Sequence, residues 1–278
     1  MDRPRFTSIG RPVDPAWPTN RAILLLSVTV VIVVAAFRLL FGGLGFLPAA
    51  VAGLLAGGTV FFAWALAREV DPDHDLAAFA GALIALPAWE LLGSPRFAAV
   101  VLLLLALRIV NRTVGPAARP LDSIAILLLA GWVAWSGDWV TTFAVFLAFV
   151  LDATLTPAHR SHLAGAGAAL ALTGLAATRS GFPPSISGAS LGSLGALVLM
   201  LPFLPVMARS GTLRTLTDVD TRPLIGTRVR SAQALAILAV ALAVFVDGTG
   251  GLAEISPLWS AIVGCGLYGL LPARGTPA

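Results

Sequence analysis

No lysine occurs in these 278 residues, and cysteine (one), tyrosine (one), histidine (three) and methionine (three) are all scarce. The single cysteine, Cys265, sits in an apolar stretch, so an internal disulfide and a thiolate metal cluster are both excluded and redox chemistry finds no support. Charge is scarce too, at 12% of residues. The net charge of +4 and a pI near 10.8 would suit nucleic acid, but no basic stretch is interleaved with the stacking aromatics that such binding needs. All eighteen basic residues are arginine, which reads as the imprint of a GC-rich coding sequence, and anionic lipid headgroups are the partners that suit them.

What fills the chain instead is apolar: 58% of residues are hydrophobic and the mean hydropathy is +0.91. A water-soluble fold cannot hide that much apolar surface, whereas lipid needs no polar shell around it. The predicted class is an all-α, polytopic transmembrane bundle of about ten helices arranged as hairpins, in the cell (plasma) membrane. Apolar runs cover Ala22–Phe41, Phe46–Ala67, Leu76–Leu92, Phe97–Val110, Ser123–Trp135, Trp139–Leu155, His162–Thr178, Ala189–Ala208, Ala232–Val246 and Ile255–Leu271. Several are shorter than the ~20 residues a span normally takes, so arginines at their flanks must snorkel, and eight helices with a re-entrant hairpin is the competing count.

The organisation follows as a cytoplasmic tail over 1–21, one transmembrane domain over 22–271, a longest cytoplasmic loop over 209–230 and a tail over 272–278. No small-residue cleavage site follows the first run, which predicts an uncleaved signal anchor. Gly- and Pro-rich links alternate with arginine-bearing ones. One face collects fifteen arginines and the other keeps three, Arg38, Arg96 and Arg179, which puts both termini in the cytoplasm. Trp89, Trp135, Trp139 and Trp259 fall at the outer ends and are expected to form an interfacial belt.

Gly53 with Gly57, and Gly188, Gly192 and Ala196, have the four-residue spacing that lets helix backbones meet, and Gly165, Gly167, Gly264, Gly266 and Gly269 suit either close packing or a substrate-lined surface. Pro87, Pro202 and Pro205 remove backbone donors and predict kinks.

The densest polar string is Arg68-Glu69-Val70-Asp71-Pro72-Asp73-His74-Asp75, between the second and third runs. Its carboxylates repel unless a cation joins them, so Asp71, Asp73, His74 and Asp75 are candidate ligands for a divalent metal, joined by Asp152, His159 and His162 from the link after the sixth run. The alternative is that Asp73 or Asp75 caps the third helix while Pro72 sets the turn. Arg108, Arg112 and Arg119 form a candidate cradle for a phosphate or lipid headgroup. On the outer side Arg38, Glu90 and Arg96 form a candidate ion cluster.

No catalytic set stands out, no organic cofactor is implied and no carboxylate falls at mid-bilayer. Three functions compete. Helix number and cytoplasmic ends are similar to those of ten-helix drug and metabolite transporters, which implies a permease for small solutes or lipids. Acidic groups after helices two and six resemble those of membrane prenyltransferases, Asp71 and Asp75 having Asp-x-x-x-Asp spacing with Pro72 inserted and no Asn-Asp pair before them. That likeness implies a metal-dependent enzyme acting on a lipid or isoprenoid diphosphate at the cytoplasmic face. The third reading is a non-catalytic membrane subunit whose 209–230 loop docks a protein partner. Nothing in the residues sets the oligomeric state.

Overall fold

The computed structural model describes residues 7–181 and 190–271. Arg3, Arg5, Arg274, Gly188, Ala189 and the 272–278 tail, all used above, lie outside the described residues. Among the described residues every regular element is helical. In chain order these are α1 (Pro18–Leu40), α2 (Phe46–Val70), α3 (Asp75–Leu92), α4 (Phe97–Asn111), α5 (Pro120–Trp135), α6 (Trp139–Thr154), α7 (His162–Ser180), α8 (Leu191–Val198), a 3-10 turn (Leu201–Phe203), α9 (Leu204–Arg209), α10 (Gly226–Glu254) and α11 (Ser256–Gly269).

Local chemistry sets the boundaries. Proline at the first turn of α1, α5 and α11 costs no helical bond, because the N–H it lacks would have no partner there. Asp138 caps α6 by accepting from the Thr141 N–H at 2.9 Å. Asp122 in the first turn of α5 accepts the Arg119 N–H at 3.1 Å and the Ser8 N–H and hydroxyl at 2.9 and 2.6 Å, which also pins the N-terminal segment to the bundle. Helix α4 ends on Arg112 in the left-handed region at φ +54°, a conformation more often taken by glycine.

Pro87 lies within an unbroken α3. Pro202 and Pro205 act as expected: the eighth run splits into α8, the 3-10 turn and α9, with a proline at the first turn of each of the last two. Counting α8 to α9 as one interrupted rod, the described residues form ten rods. Contacts between chain-distant helix ends fix their alternation. At one end Arg38 meets Glu90, Arg96 meets Glu254 and Arg179 stacks on Trp135 at 4.0 Å. At the other, Arg108 meets Glu69, Asp152 meets Arg228, and Arg209 donates to the Gly269 carbonyl.

Five rods are long and apolar enough to cross a membrane: α1, α2, α3, the α8–α9 rod and α10, while α4, α5 and α6 are shorter apolar helices. Helix α1 packs on α2 across the predicted glycines. A Cβ at Gly53 would stand 2.4 Å from the Val31 carbonyl oxygen, and one at Gly57 2.8 Å from that of Ser27. Helices α3 and α11 meet through a second glycine pair, where a Cβ on Gly264 would fall 2.2 Å from the Gly81 nitrogen. Gly165, Gly266 and Gly269 likewise press on Phe149, Phe203 and Val206, whereas Gly167 faces open space and Gly192 meets only its neighbour Ser190.

Two expectations need correction. Trp89 and Trp259 are buried rather than placed in a belt: each donates its indole N–H inside the protein, to Ser94 Oγ at 3.1 Å and to the Ala196 carbonyl at 2.9 Å. The longest link is also shorter than 209–230, because α10 begins at Gly226 and takes Arg228 and Arg230 into the helix.

Candidate functional site

At the arginine-rich end a polar layer is built into the interior, centred on Asp152 in the last turn of α6. Asp152 is fully buried. Its Oδ1 accepts from Arg112 Nε at 2.8 Å and Arg228 Nη1 at 2.7 Å, while His162 Nδ1 stands 2.9 Å from Oδ2. On the far side of that ring, His162 Nε2 is 3.1 Å from Ser123 Oγ. Phe149 packs edge-on against the imidazole with centroids 5.1 Å apart, and His159 stacks on its other side at 4.4 Å. Burial, then the neighbouring His162, hold His159 below the ordinary histidine pKa, so it favours the neutral form.

Arg228 of α10 explains why so many charges tolerate the interior. A guanidinium carries five N–H donors in a fixed fork. Arg228 is fully buried and spends them on Asp152 and on the carbonyls of Val110 (3.0 Å), Leu155 (2.9 Å), Thr156 (3.3 Å) and Pro157 (2.7 Å). The end of α4, the end of α6, the link after it and α10 are thereby clamped around one side chain.

The layer continues to α2. Glu69, also fully buried, accepts from Arg108 Nε at 2.9 Å and Thr113 Oγ1 at 2.7 Å. The last carbonyls of α2 are satisfied by side chains from other helices, Glu69 O by Asn111 Nδ2 and Val70 O by Gln233 Nε2, both at 2.7 Å.

The acidic link between α2 and α3 is divided among separate partners. Asp71 is buried, with His74 Nδ1 at 2.9 Å, and burial raises its pKa against the pull of that imidazole. Asp73 reaches across to the α9–α10 link, where it accepts the Arg214 and Thr215 N–H groups at 3.1 and 2.9 Å and the Thr215 hydroxyl at 2.6 Å. Burial pushes the Asp73 pKa up, but the Thr215 hydroxyl and the two N–H donors outweigh it and the net shift is downward. Asp75 pairs with Arg68. The cap of α3 falls on His74, whose side chain makes no cap bond, so the expected aspartate cap gives way to these cross-links.

Of the seven proposed metal ligands, then, the structure brings Asp152, His159 and His162 together, and gives Asp71 with His74, Asp73 and Asp75 different neighbours. Among the described residues no group of three or more His, Cys, Asp or Glu side chains is disposed to hold a metal ion. The proposed arginine cradle is also divided, Arg108 turning to Glu69 and Arg112 to Asp152, with Arg119 at the entry to α5.

At the opposite end the predicted ion cluster splits in two. Both carboxylate oxygens of Glu90 lie 2.6 Å from Arg38 Nη2, and Arg96 turns away to Glu254 and to Ser136 Oγ at 3.1 Å. Beside Arg96 lies a cleft of about 340 Å³ between α4, α6 and α10, edged by Ser136 and Gly137 of the α5–α6 link and by Ser180 and Gly181 at the end of α7. Its rim carries Arg96 with Asp138, Asp247 and Glu254, and its floor is Leu103, Ala239 and Ala243. From Asp247 to Ala239 the cleft follows eight residues of α10, about 12 Å at 1.5 Å per residue. Directly above, α10 breaks at Gly248 (φ 57°, ψ −126°), a backbone conformation open essentially to glycine alone.

Arg228, Gln233 and Gly248 were not singled out from the sequence as functional. The signal for the last was present, three glycines within Gly248-Thr249-Gly250-Gly251. No family model, curated protein or solved structure matches the chain.

Proposed function

We propose that the chain is a multi-pass integral membrane protein of the plasma membrane, with ten spans and both termini in the cytoplasm, and that it is a permease for small cationic solutes. Five apolar rods of spanning length support the membrane reading, as does α1, which exposes Leu25, Ile32 and Val33 by 58–63% along a flank that lipid accepts and water does not. The arginine asymmetry supports the orientation.

One observation carries the permease reading. Helices α4, α6 and α10 line the outer cleft, and these same three helices are joined at their inner ends by Asp152, Arg112 and Arg228. A carrier needs a site open on one side while the other is shut, and rocking of one group of helices against another exchanges the two. In this state the outer cleft is accessible and the ionic layer is the inner closure. The cleft volume suits a small ligand. Three carboxylates against one guanidinium on its rim favour a cation, which the apolar floor would strip of part of its water.

The reading as a diphosphate-processing enzyme has less support, since Asp73 and Asp75 are each engaged by their own partner and Asp152 by three. The test is uptake into proteoliposomes of methylammonium and guanidinium, with urea and acetate as neutral and anionic controls. Cation uptake above that of protein-free liposomes is expected. Rates equal to those of empty liposomes for both cations would overturn the permease reading.

A further inference from the structure

A second and larger pocket, about 580 Å³, lies at the arginine-rich end, away from the cleft and from Asp152. It forms where the N-terminal segment folds back over α2 and α4 and the α9–α10 link closes one side. The N-terminal cover is held by Arg11, which pairs with Asp218 of that link at 2.8 Å. The pocket is two-faced. Phe61, Trp64 and Leu104 supply an apolar wall on the bundle side, while Arg11, Arg68 and Arg108 bring three guanidiniums to the mouth.

The lining also holds four carboxylates, the exposed Asp14 and Asp75, Asp218 and the buried Glu69. Three positive against four negative charges suit neither a simple anion nor a simple cation. They suit a ligand carrying both signs. Arg11, Arg68 and Arg108 each turn towards a carboxylate, and a guanidinium so engaged still has donors with which to meet a phosphate in charge-assisted bonds. Asp14, exposed and outside these three ion pairs, stands available to an ammonium group.

A further observation points to a ligand. Trp64 is 5% exposed and its indole N–H, a donor with no acceptor capacity of its own, finds no partner among the described residues. A buried donor left unpaired is costly, and a turn of the indole towards the pocket that Trp64 lines would let an acceptor oxygen of a bound molecule satisfy it. Charge of both signs above an apolar wall is the pattern of a lipid entering with its headgroup at the interface and its chains along the helices.

We propose that this pocket binds a zwitterionic phospholipid of the phosphatidylethanolamine class, with its phosphate at Arg11, Arg68 and Arg108 and its ammonium at Asp14. The inference rests on the membrane reading and is independent of the permease reading, because its readout is binding rather than uptake.

The experiment is native mass spectrometry of the full chain in detergent with phosphatidylethanolamine and phosphatidylglycerol of identical acyl chains, and with soluble phosphoethanolamine as competitor. One ethanolamine lipid is expected to be retained about tenfold more tightly than the glycerol lipid, the scale of one charge-assisted contact. Asp14→Asn is expected to abolish that preference and Arg11→Gln to weaken retention of both lipids, while elution and melting stay as in the parent, and the two variants perturb different contacts, so a folding defect in one leaves the other informative. Equal retention of the two lipids would overturn the headgroup assignment. So would parental preference in Asp14→Asn. Displacement by phosphoethanolamine at concentrations matching the lipid would overturn the role of the apolar wall and make the ligand a soluble zwitterion.

Discussion

Arg228 and Asp152 meet at 2.7 Å inside the bundle, neither side chain exposed, although 76 residues separate them in the chain. Two opposite charges share an interior at least cost when hydrogen bonds surround them, and here four carbonyls accept from Arg228 while Asp152 Oδ1 also accepts from Arg112 and Oδ2 faces His162 Nδ1 at 2.9 Å.

The cost of removing one partner follows from that geometry. Arg228→Met would leave Asp152 with Arg112 and His162 and would strip four carbonyls of a shared donor. A loss of about 3–5 kcal/mol is expected, the usual scale for breaking a buried pair. Unfolding in mixed micelles with increasing SDS measures it. In a double-mutant cycle with Asp152→Leu, the combined loss should fall well short of the sum of the single losses. Additive losses would mean that the two residues act separately.

Gly248 makes a second, independent prediction. At φ 57° and ψ −126° a Cβ is strained whatever space surrounds it. Gly248→Ala should cost about 1–3 kcal/mol, or else allow α10 to run straight and remodel the cleft beneath it. Both outcomes change uptake. A variant with parental melting and parental uptake would show that the break has no structural role.

Asp73 ties the α2–α3 link to the α9–α10 link, and its titration should be visible. Its folded pKa lies below the ordinary aspartate value of 3.8, so the tether contributes fully above that value and is lost as pH falls through the lower, folded one. Asp73→Asn should therefore melt below the parent at neutral pH, and the gap should close under strong acid. Melting curves of the two proteins from pH 7 down to about 2 test this, and a gap that persists unchanged in acid would remove the carboxylate from the account.

The contrast between Trp139 and Arg228 shows where sequence reading succeeded. The α6 run was expected to start at Trp139 and does, because Asp138 is a local cap and Gly137 (φ 88°) a local turn, both written within three residues of the boundary. The α10 run was expected at Ala232 and starts at Gly226, since arginines at a helix end suit a snorkelling interface as well as an interior. What distinguishes them is the set of carbonyls offered by Val110, Leu155, Thr156 and Pro157, which only the assembled bundle brings together. The acidic string from Glu69 to Asp75 was recognised as unusual for the same reason it was misjudged as a unit: local crowding is visible in sequence, while partners such as Thr113 and Thr215 lie 44 and 142 residues away.

Accessibility of the cleft can be read with one thiol, because Cys265 is the single cysteine and is buried. In a Cys265→Ala background, Ala243→Cys places a thiol on the cleft floor, about 6 Å along α10 from the Asp247 rim. A membrane-impermeant cationic methanethiosulfonate added outside should modify it, and the same reagent confined to the cytoplasmic side should not, because the Asp152 layer closes that route. Asp247→Asn together with Glu254→Gln should slow this labelling several-fold, as expected where carboxylates concentrate a cation at a low-dielectric mouth, and should leave the rate with a neutral reagent nearly unchanged. Modification from the cytoplasmic side alone would reverse the proposed orientation. Equal slowing of both reagents would mean that the two acids shape the cleft rather than select for charge.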